Sequence, residues 1–106
     1  MKAIVAGPDA DGLSEALAAA EVEVSRIEGI ATRPAMEDAG IVDADLLVLT
    51  DAAHATAIPI ARDLTDGLRI VVYTTDSLPE FVKGLEVMRV DPAALGPDAV
   101  AEELTR

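Results

Sequence analysis

The chain has 106 residues, enough for one domain and too few for two. Its formal charge is −12, from 20 acidic and 8 basic residues spread along its length, a field that repels nucleic acid and anionic lipid. It has no cysteine, which excludes disulfides, thiolate metal sites and a cysteine nucleophile; hydrophobic residues make up 51% but aromatics only 2%, so any core is built from Ala, Val, Leu and Ile.

In chain order, Ala3–Ala6 is a short apolar run stopped by Gly7-Pro8 and reads as a buried strand. Leu13, Leu17 and Ala20 recur at helical spacing and give a first helix. Val22 to Ile27 mixes β-branched and charged residues, as an edge strand does. Thr32 with Pro34 marks a helix start and Gly40 its stop. Leu46–Leu49 is four apolar residues in a row, a strand buried on both faces. Asp51 is placed to cap a helix over roughly Ala52 to Leu64, with Pro59 kinking it or delaying its start. After the Asp66-Gly67 turn, Ile70 to Tyr73 is a further central strand. Ser77 and Glu80 have capping-box spacing, and Leu78, Phe81, Val82 and Leu85 follow as the apolar stripe of an amphipathic helix. Val87 to Val90 is a fifth strand, and Gly96-Pro97 leads into a last helix carrying Val100 and Leu104.

Strands alternate with helices throughout. That order predicts a single α/β domain over residues 1–106, a three-layer Rossmann-like or flavodoxin-like fold. Its sheet is expected to have five mostly parallel strands in the order 2-1-3-4-5. No run is long enough to span a membrane. Met1 runs almost directly into a strand-like segment without a leader pattern, so a cytoplasmic protein is expected.

Ligands of such sheets bind beyond the carboxyl ends of the strands, where the strand order reverses. That rule selects Gly7, Pro8, Asp9, Gly12, Thr50 and Asp51, with Thr74 and Thr75 next along. The first turn, Gly7-Pro8-Asp9-Ala10-Asp11-Gly12, keeps the first and third glycines of the G-x-G-x-x-G dinucleotide pattern. Asp9 replaces the middle one, adding bulk and negative charge where a pyrophosphate would approach. Glu28 stands where the second strand's ribose-binding acid would be. Each of these residues also has a plain reading as a turn or cap. His54 is the only histidine, which excludes multi-histidine metal sites; it reads as a solvent-facing helix residue, with a lone general base as the alternative. Ser14, Ser25 and Ser77 lack a nucleophile-elbow context and the single histidine disfavours a Ser-His-Asp triad, so a non-enzymatic role is expected.

On the glycine turn, on Ala39 to Asp51, on Ile70 to Val72 and on Val90-Asp91-Pro92, the chain resembles the nucleotide-binding N-terminal domain of TrkA-type (RCK) potassium-transport regulators. The resemblance implies binding of NAD or an adenine nucleotide to regulate a transporter, usually as a homodimer. Carried over residue by residue, it retains Gly7, Gly12, Thr50 and Asp51. The chain departs from it in three places. The stretch from Ile27 to Ala39 is too short for that family's second helix and third strand. Its Gly-Asp-Ala-Thr stretch is here Gly29-Ile30-Ala31-Thr32, and its middle loop glycine is Asp9. Two alternatives stand beside it. One is a domain without a ligand that serves protein contacts. The other follows from the Asp45–Asp51 stretch, which looks like the third strand of a response-regulator receiver. It would make Asp51 a phosphoacceptor, with Asp9 and Asp11 as Mg²⁺ acids and Thr74 as the switch threonine; the receiver's lysine is missing. The dispersed acids, the two lysines and the Ala-rich core resemble proteins of salt-loving archaea.

Overall fold

A computed structural model describes residues 1–8, 12–82 and 84–105. Five strands form one sheet in the order β2-β1-β3-β4-β5, with every neighbouring pair parallel. They are β1 (Lys2–Ala6), β2 (Glu23–Ile27), β3 (Leu46–Leu49), β4 (Arg69–Tyr73) and β5 (Val87–Val90). The expected strand order and α/β class are therefore the observed ones. The three central strands are almost wholly buried, whereas β2 and β5, at the two edges, are half open to solvent. This is the pattern expected of parallel strands covered on both faces.

The covering layers follow from alternation along each strand, which sends successive side chains to opposite faces. Ile4, Ala6, Leu47, Leu49, Ile70 and Val72 face one side. They meet Met36 of α2 (Arg33–Asp38) and Ala57, Ile58 and Ala61 of α3 (Ala57–Leu64). Ala3, Val5, Leu46, Val48, Val71 and Tyr73 face the other side. They meet Leu13 and Leu17 of α1 (Leu13–Ala19) and Val100, Ala101 and Leu104 of α4 (Pro97–Leu104). Tyr73 is the one aromatic ring in this core, and its hydroxyl donates to the Leu95 carbonyl at 2.8 Å.

The helix starts are local chemistry. The Thr32 hydroxyl accepts from the Ala35 amide and Pro34 lies in the first turn of α2. Gly40, with φ +86°, ends that segment in the left-handed conformation that favours glycine. The Asp51 carboxylate accepts from the Ala53 amide at 2.8 Å and opens a 3-10 turn over Ala52–Thr56. The α-helical part begins only at Ala57, so Pro59 sits in its first turn and has delayed the start rather than kinked the helix.

One element differs from expectation. The stripe Leu78, Phe81, Val82 and Leu85 does not wind into an amphipathic helix; among the described residues of this stretch only a 3-10 turn over Glu80–Val82 forms. Gly84 and Glu86 take φ of +87° and +57°, which halts any helix after one turn. The Arg62 guanidinium holds the Leu85 and Glu86 carbonyls at 2.9 and 2.8 Å, outside a helical ladder. Among the described residues, no helix is long and apolar enough to cross a membrane.

Candidate functional site

The strand order reverses between β1 and β3, so their carboxyl ends diverge into opposite crossovers and leave a crevice there. A cleft of about 510 Å³ opens at this place, lined by Gly7, Pro8, Arg26, Ile27, Glu28, Gly29, Ile30, Asp51 and His54. A second cavity, about 350 Å³, adjoins it and shares Ile30 and His54; its other walls are Ala31, Ala53, Thr56 and Ala57. Together they make a groove between the exit of β2 and the 3-10 turn after β3. One end is polar, with Glu28, Asp51 and Arg26. The other is apolar, with Ile30, Ala31, Ala53 and Ala57.

Four of the residues selected from the sequence, Gly7, Pro8, Glu28 and Asp51, come together on this cleft. Thr50 does not face it. Its hydroxyl turns back to the Pro8 carbonyl and lies 3.4 Å from the Ala6 carbonyl, tying the first loop to β3. Gly12 is the N-cap of α1, left-handed at φ +76°, with open space where a side chain would stand. Asp9 and Asp11 lie outside the described residues. Gly7 has a structural cause of its own. Its φ is +104°, and a Cβ there would come within 2.5 Å of the Thr50 hydroxyl oxygen. The first glycine is thus required by how the loop packs on β3, whether or not a phosphate ever approaches it.

Five residues of the cleft, Arg26, Ile27, Gly29, Ile30 and His54, were not among those selected, and Arg26 and His54 are the two with ionisable side chains. Arg26 projects from edge strand β2, and its guanidinium donates to the Gly7 carbonyl at 2.8 Å and to the Ser14 hydroxyl at 3.3 Å. It joins β2, the first loop and α1, and places a positive charge among Glu28 and Asp51. In sequence, Arg26 is one charged residue of an edge strand; only the pairing of Val5 with Arg26 brings it to the glycine loop. His54 was read as facing solvent. It is half-buried and lines both cavities, because the 3-10 turn carries it back over the cleft.

The receiver-like residues are engaged in turns. Asp51 caps the Ala53 amide, and the Thr74 hydroxyl, buried at the end of β4, accepts from the Asp76 amide at 3.2 Å. Among the described residues, no three acidic or histidine side chains gather as a metal site would need.

The fold is similar to that of a proposed pilus assembly-related protein from Burkholderia pseudomallei, known from a crystal structure at 2.50 Å resolution. The two share 25% identity with a TM-score of 0.68, over 100% of this chain and 87% of that one. No curated protein matches the sequence. The family of unknown function DUF7126 matches residues 3–104, nearly the whole of the domain just described, and the chain belongs to that family.

Proposed function

We propose that the chain is a cytoplasmic, non-enzymatic regulatory domain that binds NAD or an adenine nucleotide, with the nucleoside part lying in the groove between β2 and the 3-10 turn after β3. The observation that carries this reading is the pairing of an acid with an apolar recess at the strand-order reversal. Glu28 stands at the polar end, where a carboxylate accepts hydrogen bonds from ribose hydroxyls. Ile30, Ala31, Ala53 and Ala57 form the apolar end, which suits a base without demanding an aromatic platform. The size of the main cleft, about 510 Å³, is in the range of small-molecule sites.

The resemblance to the potassium-transport regulators points the same way, and it makes a homodimer or a transporter subunit the expected protein partner. The strand order agrees with that resemblance without requiring it. A dinucleotide fold of order 3-2-1-4-5-6 that loses its third strand becomes 2-1-4-5-6, which has the order seen here; the flavodoxin-like order is the same. The charge of −12 favours ligands with few phosphates, since each added phosphate is repelled more strongly.

Thermal unfolding in about 1 M KCl tests the reading, with AMP, NAD and ATP as probes and the Debye length reduced to about 3 Å. A ligand of the native state raises the melting temperature by mass action. AMP or NAD is expected to stabilise the protein, and Glu28→Gln to reduce that gain. A flat response to all three refutes the nucleotide reading and favours the protein-contact alternative, which the likeness to a proposed pilus assembly-related protein supports. Asp51 at the end of β3, on the cleft, supports the phosphoacceptor alternative. Stabilisation by Mg²⁺ alone, with phosphate incorporated from acetyl phosphate and lost in Asp51→Asn, would select it.

A further inference from the structure

The crossover from β4 to β5 packs Leu78, Val82 and Leu85 on the core layer shared with α2 and α3. Between this crossover and β5 a groove of about 560 Å³ remains. Val82 is its buried wall, with the half-buried Leu78 and Val87 on either side. Ser77, Gly84, Glu86 and Arg89 complete the lining, all exposed, so its charged groups are one acid and one arginine.

The two charges enter from opposite ends. Glu86 directly precedes β5, whose first residue, Val87, pairs with Ile70 near the start of β4. Arg89 reaches the other way. Its Nε and Nη2 donate to the Asp76 and Thr75 carbonyls at 2.8 and 2.9 Å, beyond Tyr73, the last residue of β4. Three steps of about 3.3 Å along the strand put the two residues roughly 10 Å apart. The bonds to Thr75 and Asp76 hold the guanidinium by its Nε side. Its outer edge, between the two Nη atoms, is the fork that takes a carboxylate. At the other end, the Leu85 and Glu86 carbonyls are fixed by Arg62 at 2.9 and 2.8 Å, so both ends are set before any ligand arrives.

We propose that this groove binds a short apolar peptide of about three residues with both termini free. Its ammonium group lies at Glu86, its carboxylate at Arg89, and its aliphatic side chains on Leu78, Val82 and Val87. One acid and one arginine match the two ends of a zwitterion, and a ligand of a single sign would use only one of them. A plain carboxylate would also meet the repulsion of a net charge of −12, which a zwitterion, neutral overall, escapes. The length follows from the spacing. An extended tripeptide spans roughly 10 Å, whereas the charged groups of a single amino acid are too close together to reach both ends. The volume is in the range of small-molecule sites. The groove lies on β5, at the opposite edge of the sheet from the β2 exit, so the proposal is independent of the nucleotide site.

Calorimetric titration of the whole protein with leucyl-valyl-leucine tests this, beside relatives that each lack one feature: its C-terminal amide, its N-acetyl form and triglycine. The free tripeptide is expected to bind saturably, and each relative at least about fivefold more weakly, the effect of one partly exposed contact. The protein is unaltered in these comparisons, so they stand whether or not any variant folds. Glu86→Gln, a change to an exposed side chain, should abolish the penalty of N-acetylation and keep that of amidation. Glu28→Gln, on the other groove, should alter neither. No saturable binding of the tripeptide at millimolar concentration overturns the proposal, as does equal binding of the amidated or acetylated form. Free leucine binding as tightly as the tripeptide overturns it too, because the two ends would then not be spanned.

Discussion

The glycine loop shows how one residue can answer to two causes. Gly7 fits the first glycine of a nucleotide pattern, yet its backbone conformation and its closeness to the Thr50 hydroxyl already forbid a side chain. Gly12 differs: it is left-handed but has open space around it. The two substitutions should separate these effects. Gly12→Ala meets only the backbone penalty, about 1 kcal/mol. Gly7→Ala adds a steric clash to a less favourable φ and should cost more, about 2–3 kcal/mol. Urea midpoints of the two variants check the order; a Gly7→Ala no worse than Gly12→Ala would mean the loop relaxes away from β3. Residue types and spacing were enough to bring Gly7, Pro8, Glu28 and Asp51 to one place, since strand ends in a parallel sheet converge on one side. Arg26 and His54 were not legible in this way. Arg26 reaches the loop through strand pairing, and His54 lines the cleft from a segment that is 3-10 where an α-helix was expected.

At the level of elements, the strands were readable because burial on both faces leaves an unbroken apolar run, as in Leu46–Leu49. The helices with capping residues, α2 above all, were readable from Thr32 and Gly40. The β4–β5 crossover was not, although its apolar spacing is as regular as that of any helix in the chain. Periodicity reports which side chains share a face; it does not report the long-range contacts of Arg62 and Arg89 that hold this segment outside the helical ladder. Arg62 is the stronger tether, because its guanidinium also meets the Leu68 carbonyl at the entry to β4. Arg62→Met keeps most of the aliphatic length and removes every one of these hydrogen bonds. Bonds to a charged donor contribute about 1.5–3 kcal/mol, so the variant should lose about 2 kcal/mol of stability. Amide exchange at Val87–Val90 should quicken along with it. Unchanged stability and exchange would show that the crossover is held by its apolar contacts alone.

The whole molecule is dominated by its charge. Twenty acidic residues on a 106-residue chain, with only eight basic ones, repel one another at low ionic strength. Raising KCl from about 0.1 M to about 1 M shortens the Debye length from about 10 to about 3 Å and removes most of that repulsion between exposed groups. The melting temperature should therefore climb steadily with KCl, and a flat or falling curve would show that the acids are already neutralised within the fold. The core, with its single aromatic ring, relies on many small contacts, so Leu47→Ala, at the centre of both the sheet and one apolar layer, should cost about 2–5 kcal/mol. Backbone resonances followed during a titration with AMP in concentrated KCl test the central claim, that the groove beside Glu28 holds a nucleoside, most directly. Saturable shifts confined to Gly7, Glu28–Ala31 and Ala53–Ala57 are expected. Saturable shifts elsewhere, or none at millimolar AMP, would contradict that claim.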